Sequence, residues 1–399
     1  MPATDELHHR DRCAISGIGK TDYSSSSGRS PLTLATQAAL AAIADAGLTP
    51  DDIDGIVRAD YDTVTPHGLA MSLGMKNLHF WGETGPGGAA SSMMIGLAVG
   101  AVLSGQARNV LVFRAHNGRS GMRFANGARR LSAPRVGGNG LYDEFYLPYG
   151  LLVPGQAFAM AARRHMLDHG TTREQLAEVA LACRANANAT RHAQMHDRQL
   201  SMDEYMAARP ISTPLVLFDF CLETDGGCAL VVTRAERAKD APKVPILIRA
   251  IAGGVNEDRR PGLVFPMLTR DDVNDLPARR AAEMLWKRAG LGPTDIDVAQ
   301  IYDCYTIAVL LQLEAYGFCP RGASGAFAAS GALRPGGALP INTDGGNLSG
   351  GYIHGLNHFV EGVRQLRGES EVRIDGAEVS LVTGGPLPVS GGVVLRRGG

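Results

Sequence analysis

The 399-residue sequence predicts an α/β protein built from two copies of one unit. Three observations carry that expectation. Residues 46–54 read AGLTPDDID and residues 289–297 read AGLGPTDID, agreeing at seven of nine positions with a constant offset of 243. Each copy follows an apolar segment at helical spacing, over 31–46 and 278–289, and leads into a short run that reads as a strand. Between the apolar runs CALVVT and ILIRAIAGG lies the charged stretch RAERAKDAPKVP, residues 234–245, which reads as the link between the copies. The halves then span 1–240 and 241–399, with an inserted loop region at about 117–215 in the first. Two copies point to a duplicated unit, since stacked arrays need three or more short repeats.

Taken in order, the first segment, MPATDELHHRDR, is charged and lacks the apolar stretch of a signal peptide. GIGKT at 17–21 resembles the end of a phosphate loop, but Ala14 stands where that loop needs glycine. The longest apolar run, 89–103, is shorter than the roughly 18 residues a membrane span needs, so it reads as a buried helix. Residues 117–150 are rich in Gly, Arg and aromatics and read either as an excursion covering a site or as a surface loop. His192 and His196, four apart, lack the companion ligands of a zinc site and read as a solvated helix face. A net charge of −1 and a pI near 6.8 argue against nucleic acid as a partner. Six cysteines with no CxxC spacing fit reduced thiols and a cytoplasmic place.

Two stretches carry candidate chemistry. IYDCYT, residues 301–306, sits where an apolar strand (296–301) ends and the helical TIAVLLQLEAYGF begins, with Thr306 placed to cap that helix. Strand-to-helix turns of this kind commonly carry ligands in α/β proteins; the alternative is that Tyr302 and Tyr305 only pack. NTDGGNLSGGYIHG, residues 342–355, has five glycines in fourteen residues just ahead of the helical LNHFVEGVRQL. It allows close backbone approach to a ligand, or serves as a flexible connection, and Tyr352 is its bulky side chain nearest the helix.

These stretches resemble the thiolase superfamily, in its sterol-carrier or lipid-transfer-protein branch. The glycine-rich block is similar to the thiolase motif that carries a catalytic His before a helix, and YDCYT is similar to the His-Asp-Cys-Phe motif. GIGKTDYSSSSGRS, DAGLTPDDID and CLETDGGCALVVT resemble the opening, first-helix and mid-chain segments of that branch, so the resemblance spans nearly the whole chain. It implies a thiolase-like fold: two duplicated α/β halves with layered sheets and helices. The departures are specific. The thiolase nucleophile position falls near Gly88 in ETGPGGAASSMM, and there is no cysteine between Cys13 and Cys183, nor beyond Cys319. Without a thiolate no acyl-enzyme forms there. Tyr302 and Tyr352 stand at the two histidine positions.

A chain with this pattern resembles the steroid side-chain-cleaving aldolases of the superfamily. The resemblance implies retro-aldol cleavage of a β-hydroxyacyl-CoA, a 17-hydroxy steroid side-chain thioester, to a ketosteroid and a short acyl-CoA such as propionyl-CoA. It implies a homodimer and a zinc-ribbon/OB-fold partner, the DUF35-type domain of an acyl-CoA hydratase, with any zinc on that partner and no cofactor in this chain. Tyr302 and Tyr352 are then the proton-transfer pair, with phenol pKa values expected to be lowered near helix N-termini. Backbone N–H groups around Gly87, Gly88, Gly384 and Gly385 are expected to hold the enolate oxygen. The alternatives are a non-catalytic acyl-CoA or sterol binder, and a degenerate acyltransferase using Cys304.

Overall fold

The computed structural model describes residues 9–60, 62–85, 88, 90–121, 147–256, 267, 268, 270–387 and 389–399. Its first half contains β1 (Cys13–Lys20), α1 (Pro31–Asp45), β2 (Gly55–Ala59), α2 (Pro66–Leu73), β3 (Phe80–Thr84), α3 (Ala90–Leu103) and β4 (Asn109–Asn117). After the inserted region come β7 (Asp225–Arg234) and the short helix α7 (Ala235–Ala238). The second half contains β8 (Ile246–Val255), α8 (Ala278–Ala289), β9 (Val298–Gln300), α9 (Thr306–Ala315), α10 (Ser324–Ala329), α11 (Leu356–Arg367), β10 (Val379–Thr383) and β11 (Val389–Arg397).

The strand order shows the duplication. The first set runs β3-β2-β4-β7-β1 and the second β9-β10-β11-β8. In both, a parallel pair (β2 with β4, β9 with β10) continues into two antiparallel pairs (β4-β7-β1, β10-β11-β8). The two sets touch along one edge, where Ala14 faces Leu247 and Ile15 faces Ile246. Residues shared by the sequence repeat do the same work twice. Gly47 (φ 71°) and Gly290 (φ 65°) make the left-handed turn that ends α1 and α8, which only glycine adopts without a Cβ penalty. Asp52 and Asp295 each accept a backbone N–H three residues back, from Thr49 and Gly292. Asp54 accepts the N–H groups of Arg108 and Asn109 at the start of β4, and Asp297 those of Glu378 and Val379 at the start of β10.

Helices α3 and α11 form the central layer. Helix α3 packs on β2, β4 and β7 and also on β8 and β11; α11 packs on β9, β10 and β11 and also on β1 and β7. Being covered on both sides, α3 is apolar around its circumference, with Met94, Ile95, Ala98, Val99 and Val102 all buried. Helices α1 and α8 cover the other faces of the two strand sets, which join in one nine-stranded sheet. The buried helix read from residues 89–103 is thus the middle of the molecule, and among the described residues no helix is long and apolar enough to cross a membrane.

Two local expectations change. The region 117–215 is not mainly loop: its described part forms α4 (Pro154–His169), α5 (Arg173–Ala189), α6 (Met202–Met206) and a two-stranded ribbon of β5 (Pro210–Ser212) and β6 (Leu215–Val216). Thr172 caps α5 through its bond with the Gln175 N–H, and the Gln175 side chain caps back. Residues 122–146, in the proposed covering excursion, lie outside the described residues. Thr306 does not cap α9. Tyr305 holds that position, and the Thr306 hydroxyl instead donates to Asp219 Oδ1 at 2.5 Å.

Candidate active site

Tyr302 follows the carboxyl end of β9, the last strand of the second set. Its N–H donates to Thr383 Oγ1 (2.8 Å) and its carbonyl accepts from Gln312 Nε2 (2.7 Å), while the Thr383 hydroxyl donates to Gln312 Oε1 (2.8 Å). Tyr352 is held by a second set of the same kind. Its N–H donates to Thr224 Oγ1 (2.9 Å), whose hydroxyl donates to Gln194 Oε1 (2.8 Å). The Tyr352 carbonyl faces His116 Nε2 at 3.1 Å, which places a proton on that nitrogen. Both tyrosine backbones are therefore clamped at N–H and C=O.

Held this way, the phenols meet. Tyr302 Oη and Tyr352 Oη lie 2.9 Å apart, with ring centroids 6.3 Å apart and planes at 71°. They are 3% and 9% exposed, so the bond sits out of bulk water with Tyr352 nearer the surface. The His354 ring stands edge-on to Tyr352 at 4.7 Å and tilted against His116 at 5.1 Å. Tyr305 points elsewhere: it stacks on Phe158 at 4.5 Å and meets Phe220 edge-on at 5.2 Å, a packing role.

The electrostatics run against the expectation of acidified phenols. Burial pushes the Tyr302 phenol well above the ordinary tyrosine value; Cys304 adds to this, and the Tyr352 bond and the Arg114 guanidinium oppose it. Burial likewise pushes Tyr352 up, and an adjacent ionised Tyr302 would push it further. A helix terminus acts over one turn, whereas desolvation sums over everything packed around the ring; here the second wins. Arg114, fully buried on β4, is paired with Asp62 at 3.3 Å.

The glycine positions divide. Gly87 lies outside the described residues. A Cβ on Gly88 would fall 1.9 Å from Tyr302 Oη, so glycine is required there by the phenol itself. The Gly384 N–H donates to the Gly391 carbonyl (2.7 Å) and the Gly385 N–H to the Gly88 carbonyl (3.0 Å). Both donors are thus engaged by backbone, and the expectation that they hold an enolate oxygen is corrected: Gly384 bonds within the β10–β11 connection and Gly385 ties that connection to Gly88. Burial also raises the thiols of Cys304 and Cys183 well above the ordinary cysteine value. Among the described residues no group of three or more His, Cys, Asp or Glu could hold a metal.

Residues 266–397 match the family described as Thiolase C-terminal domain-like. Over 387 residues the chain is 40% identical to the 17-hydroxy-3-oxo-4-pregnene-20-carboxyl-CoA lyase of Mycobacterium tuberculosis, covering 96% of this chain and 99% of that one. The chain belongs to the thiolase-like steroid side-chain-cleaving aldolases. A steroid side-chain-cleaving aldolase of Thermomonospora curvata is also 40% identical, over 96% of this chain and 97% of its own. The solved Ltp2-ChsH2(DUF35) aldolase superposes with a TM-score of 0.91 at 38% identity, covering 98% of each chain.

In this aldolase the phenol pair leaves no space for a side chain at position 88. Any side chain at position 88 would occupy the space of the Tyr302 phenol. The clamps were missed from sequence, although some signal was there. Gln312 interrupts the apolar run IAVLL–L with a polar side chain, and Thr224 and Thr383 sit inside the CLETDGG and TGG segments.

Proposed function

We propose that this aldolase cleaves the side chain of a 17-hydroxy steroid carried as a CoA thioester, releasing a 17-ketosteroid and propionyl-CoA, and that Tyr302 and Tyr352 move the protons. The observation that carries this reading is the 2.9 Å bond between the phenols in place of thiolase Cys and His chemistry. Retro-aldol cleavage needs one proton taken from the β-hydroxyl and one delivered to the α-carbon, with no net change. Two bonded phenols suit that balance. The phenol facing the hydroxyl accepts its proton and passes its own to the second phenol, which protonates the α-carbon as the carbon–carbon bond breaks. The pair ends as it began. No free phenolate is needed, which matters because ionising an ordinary tyrosine at pH 7 already costs about 4 kcal/mol and burial adds to it here.

By analogy with the Ltp2-ChsH2(DUF35) aldolase we take the partner to be a DUF35-type domain, and we propose a cytoplasmic enzyme with no cofactor of its own. Any zinc would belong to that partner. A homodimer is supported by β3, the outer strand of the first set, which carries Trp81 at 65% exposure; C2 dimers are the commonest soluble assembly. Light scattering at micromolar concentration tests this, and a monomer counts against it.

The functional test incubates the chain and its partner with 17-hydroxy-3-oxo-4-pregnene-20-carboxyl-CoA and no free CoA. Propionyl-CoA and a 17-ketosteroid are expected, with Tyr302→Phe and Tyr352→Phe each slower by about 10²–10⁴-fold. A requirement for free CoA would point to thiolysis instead, and binding of the thioester without turnover would point to a carrier.

A further inference from the structure

We propose that Asp303 is a positioning residue that sets the distance between the two phenols, an inference that rests on the tyrosine-pair reading above. Asp303 follows Tyr302 directly in the chain, yet its carboxylate reaches into the glycine-rich block that presents Tyr352. Oδ1 accepts the Asn347 N–H at 2.8 Å and Oδ2 accepts the Leu348 N–H at 3.1 Å, inside the turn Gly346–Gly350. His358 Nε2 of α11 lies 3.1 Å from Oδ1, and the Cys183 thiol of α5 donates to Oδ2 at 3.7 Å. Gly346 has no room for a Cβ because Asp303 Oδ2 occupies that place. Asn357 Nδ2 braces the same turn by donating to Asn347 Oδ1 at 3.0 Å.

Asp303 is wholly buried, so it acts on the reaction only through what it holds. Its backbone neighbour supplies one phenol, and its carboxylate fixes the loop that supplies the other. Thr224 and His116 clamp the far end of that loop at Tyr352 itself. With the near end tied to Asp303, the loop cannot drift away from β9, and the 2.9 Å contact is preserved.

The test is a double-mutant cycle on the same thioester, with kcat, KM and melting temperature measured for Asp303→Asn, Asp303→Ala, Tyr352→Phe and Asp303→Asn/Tyr352→Phe. Asparagine keeps one acceptor oxygen but sets an amide nitrogen against the other N–H. Asp303→Asn is expected to lower kcat by about 10- to 100-fold, as a misplacement of order 1 Å does, with KM nearly unchanged and Asp303→Ala slower still. In the Tyr352→Phe background the Asp303→Asn change should cost no more than about threefold, because residues acting through one another are not additive. A double variant showing the full product of the single losses overturns the inference. So does a wild-type kcat in Asp303→Asn, and so does loss of its cooperative melting, which would assign Asp303 to the fold at large. Wild-type turnover by Tyr352→Phe overturns the tyrosine reading itself, and the inference with it.

Discussion

Replacing Gly88 by alanine places a methyl group where the Tyr302 phenol now lies. The added carbon would sit 1.9 Å from Oη, 2.3 Å from Cζ and 2.7 Å from Cε2, where ordinary contact begins at 3.4 Å. The phenol oxygen must therefore retreat by about 1.5 Å or the loop must, a typical overpacking conflict. Gly88 is pinned: its carbonyl accepts from the Gly385 N–H at 3.0 Å and from the Ser91 hydroxyl at 3.1 Å. The Tyr302 backbone is pinned by Thr383 and Gln312, so the displacement falls on the ring and breaks the 2.9 Å bond to Tyr352. Steady-state turnover of the steroid thioester should drop about 10²-fold, equivalent to about 2.7 kcal/mol of barrier. Stability should fall by about 1–3 kcal/mol from overpacking, read by melting. Gly88→Cys should lose the same activity and form no acyl-enzyme, although it adds a thiol near the place where the resemblance sets the thiolase nucleophile. Turnover by Gly88→Ala within about threefold of the parent would refute the claim that the phenol contact carries the chemistry.

Three further outcomes follow from the same geometry. Tyr302, Tyr352 and Tyr305 all have phenols raised above the ordinary value, chiefly by burial. The folded state then keeps protons that the unfolded chain releases above about pH 10, so stability is held below that pH and is lost as the pH climbs through the folded values. Urea melts from pH 8 to 11 should show this, with a shallower decline in Tyr352→Phe. Cys304→Ala should keep turnover within about threefold, since burial holds that thiol protonated and no acyl-enzyme is formed; a large loss would revive covalent thiol chemistry. Tyr305→Phe should stay within about tenfold, because its ring packs on Phe158 and Phe220 and lies outside the phenol pair.

What the sequence determined by itself was local or repeated. The duplicated nine-residue segment was legible because a left-handed glycine, a turn aspartate and a strand-capping aspartate act within a few residues of one another, and both copies need all three. Tyr302, Tyr352 and Gly88 could be singled out because their motifs are contiguous. Their relations could not. Tyr302 and Tyr352 stand 50 residues apart, and their 2.9 Å contact depends on the Asp303 bridge and on clamps from Thr224, Thr383, Gln312 and His116, which come from four separate segments. The glycines at 384 and 385 read as free donors in sequence, yet their N–H groups are taken by Gly391 and Gly88 once the β10–β11 connection folds over the site. The acidity of the phenols is not legible in the sequence for the same reason. Proximity to a helix start is visible along the chain, but desolvation is a sum over neighbours brought from both halves, and only the packed tertiary structure decides it.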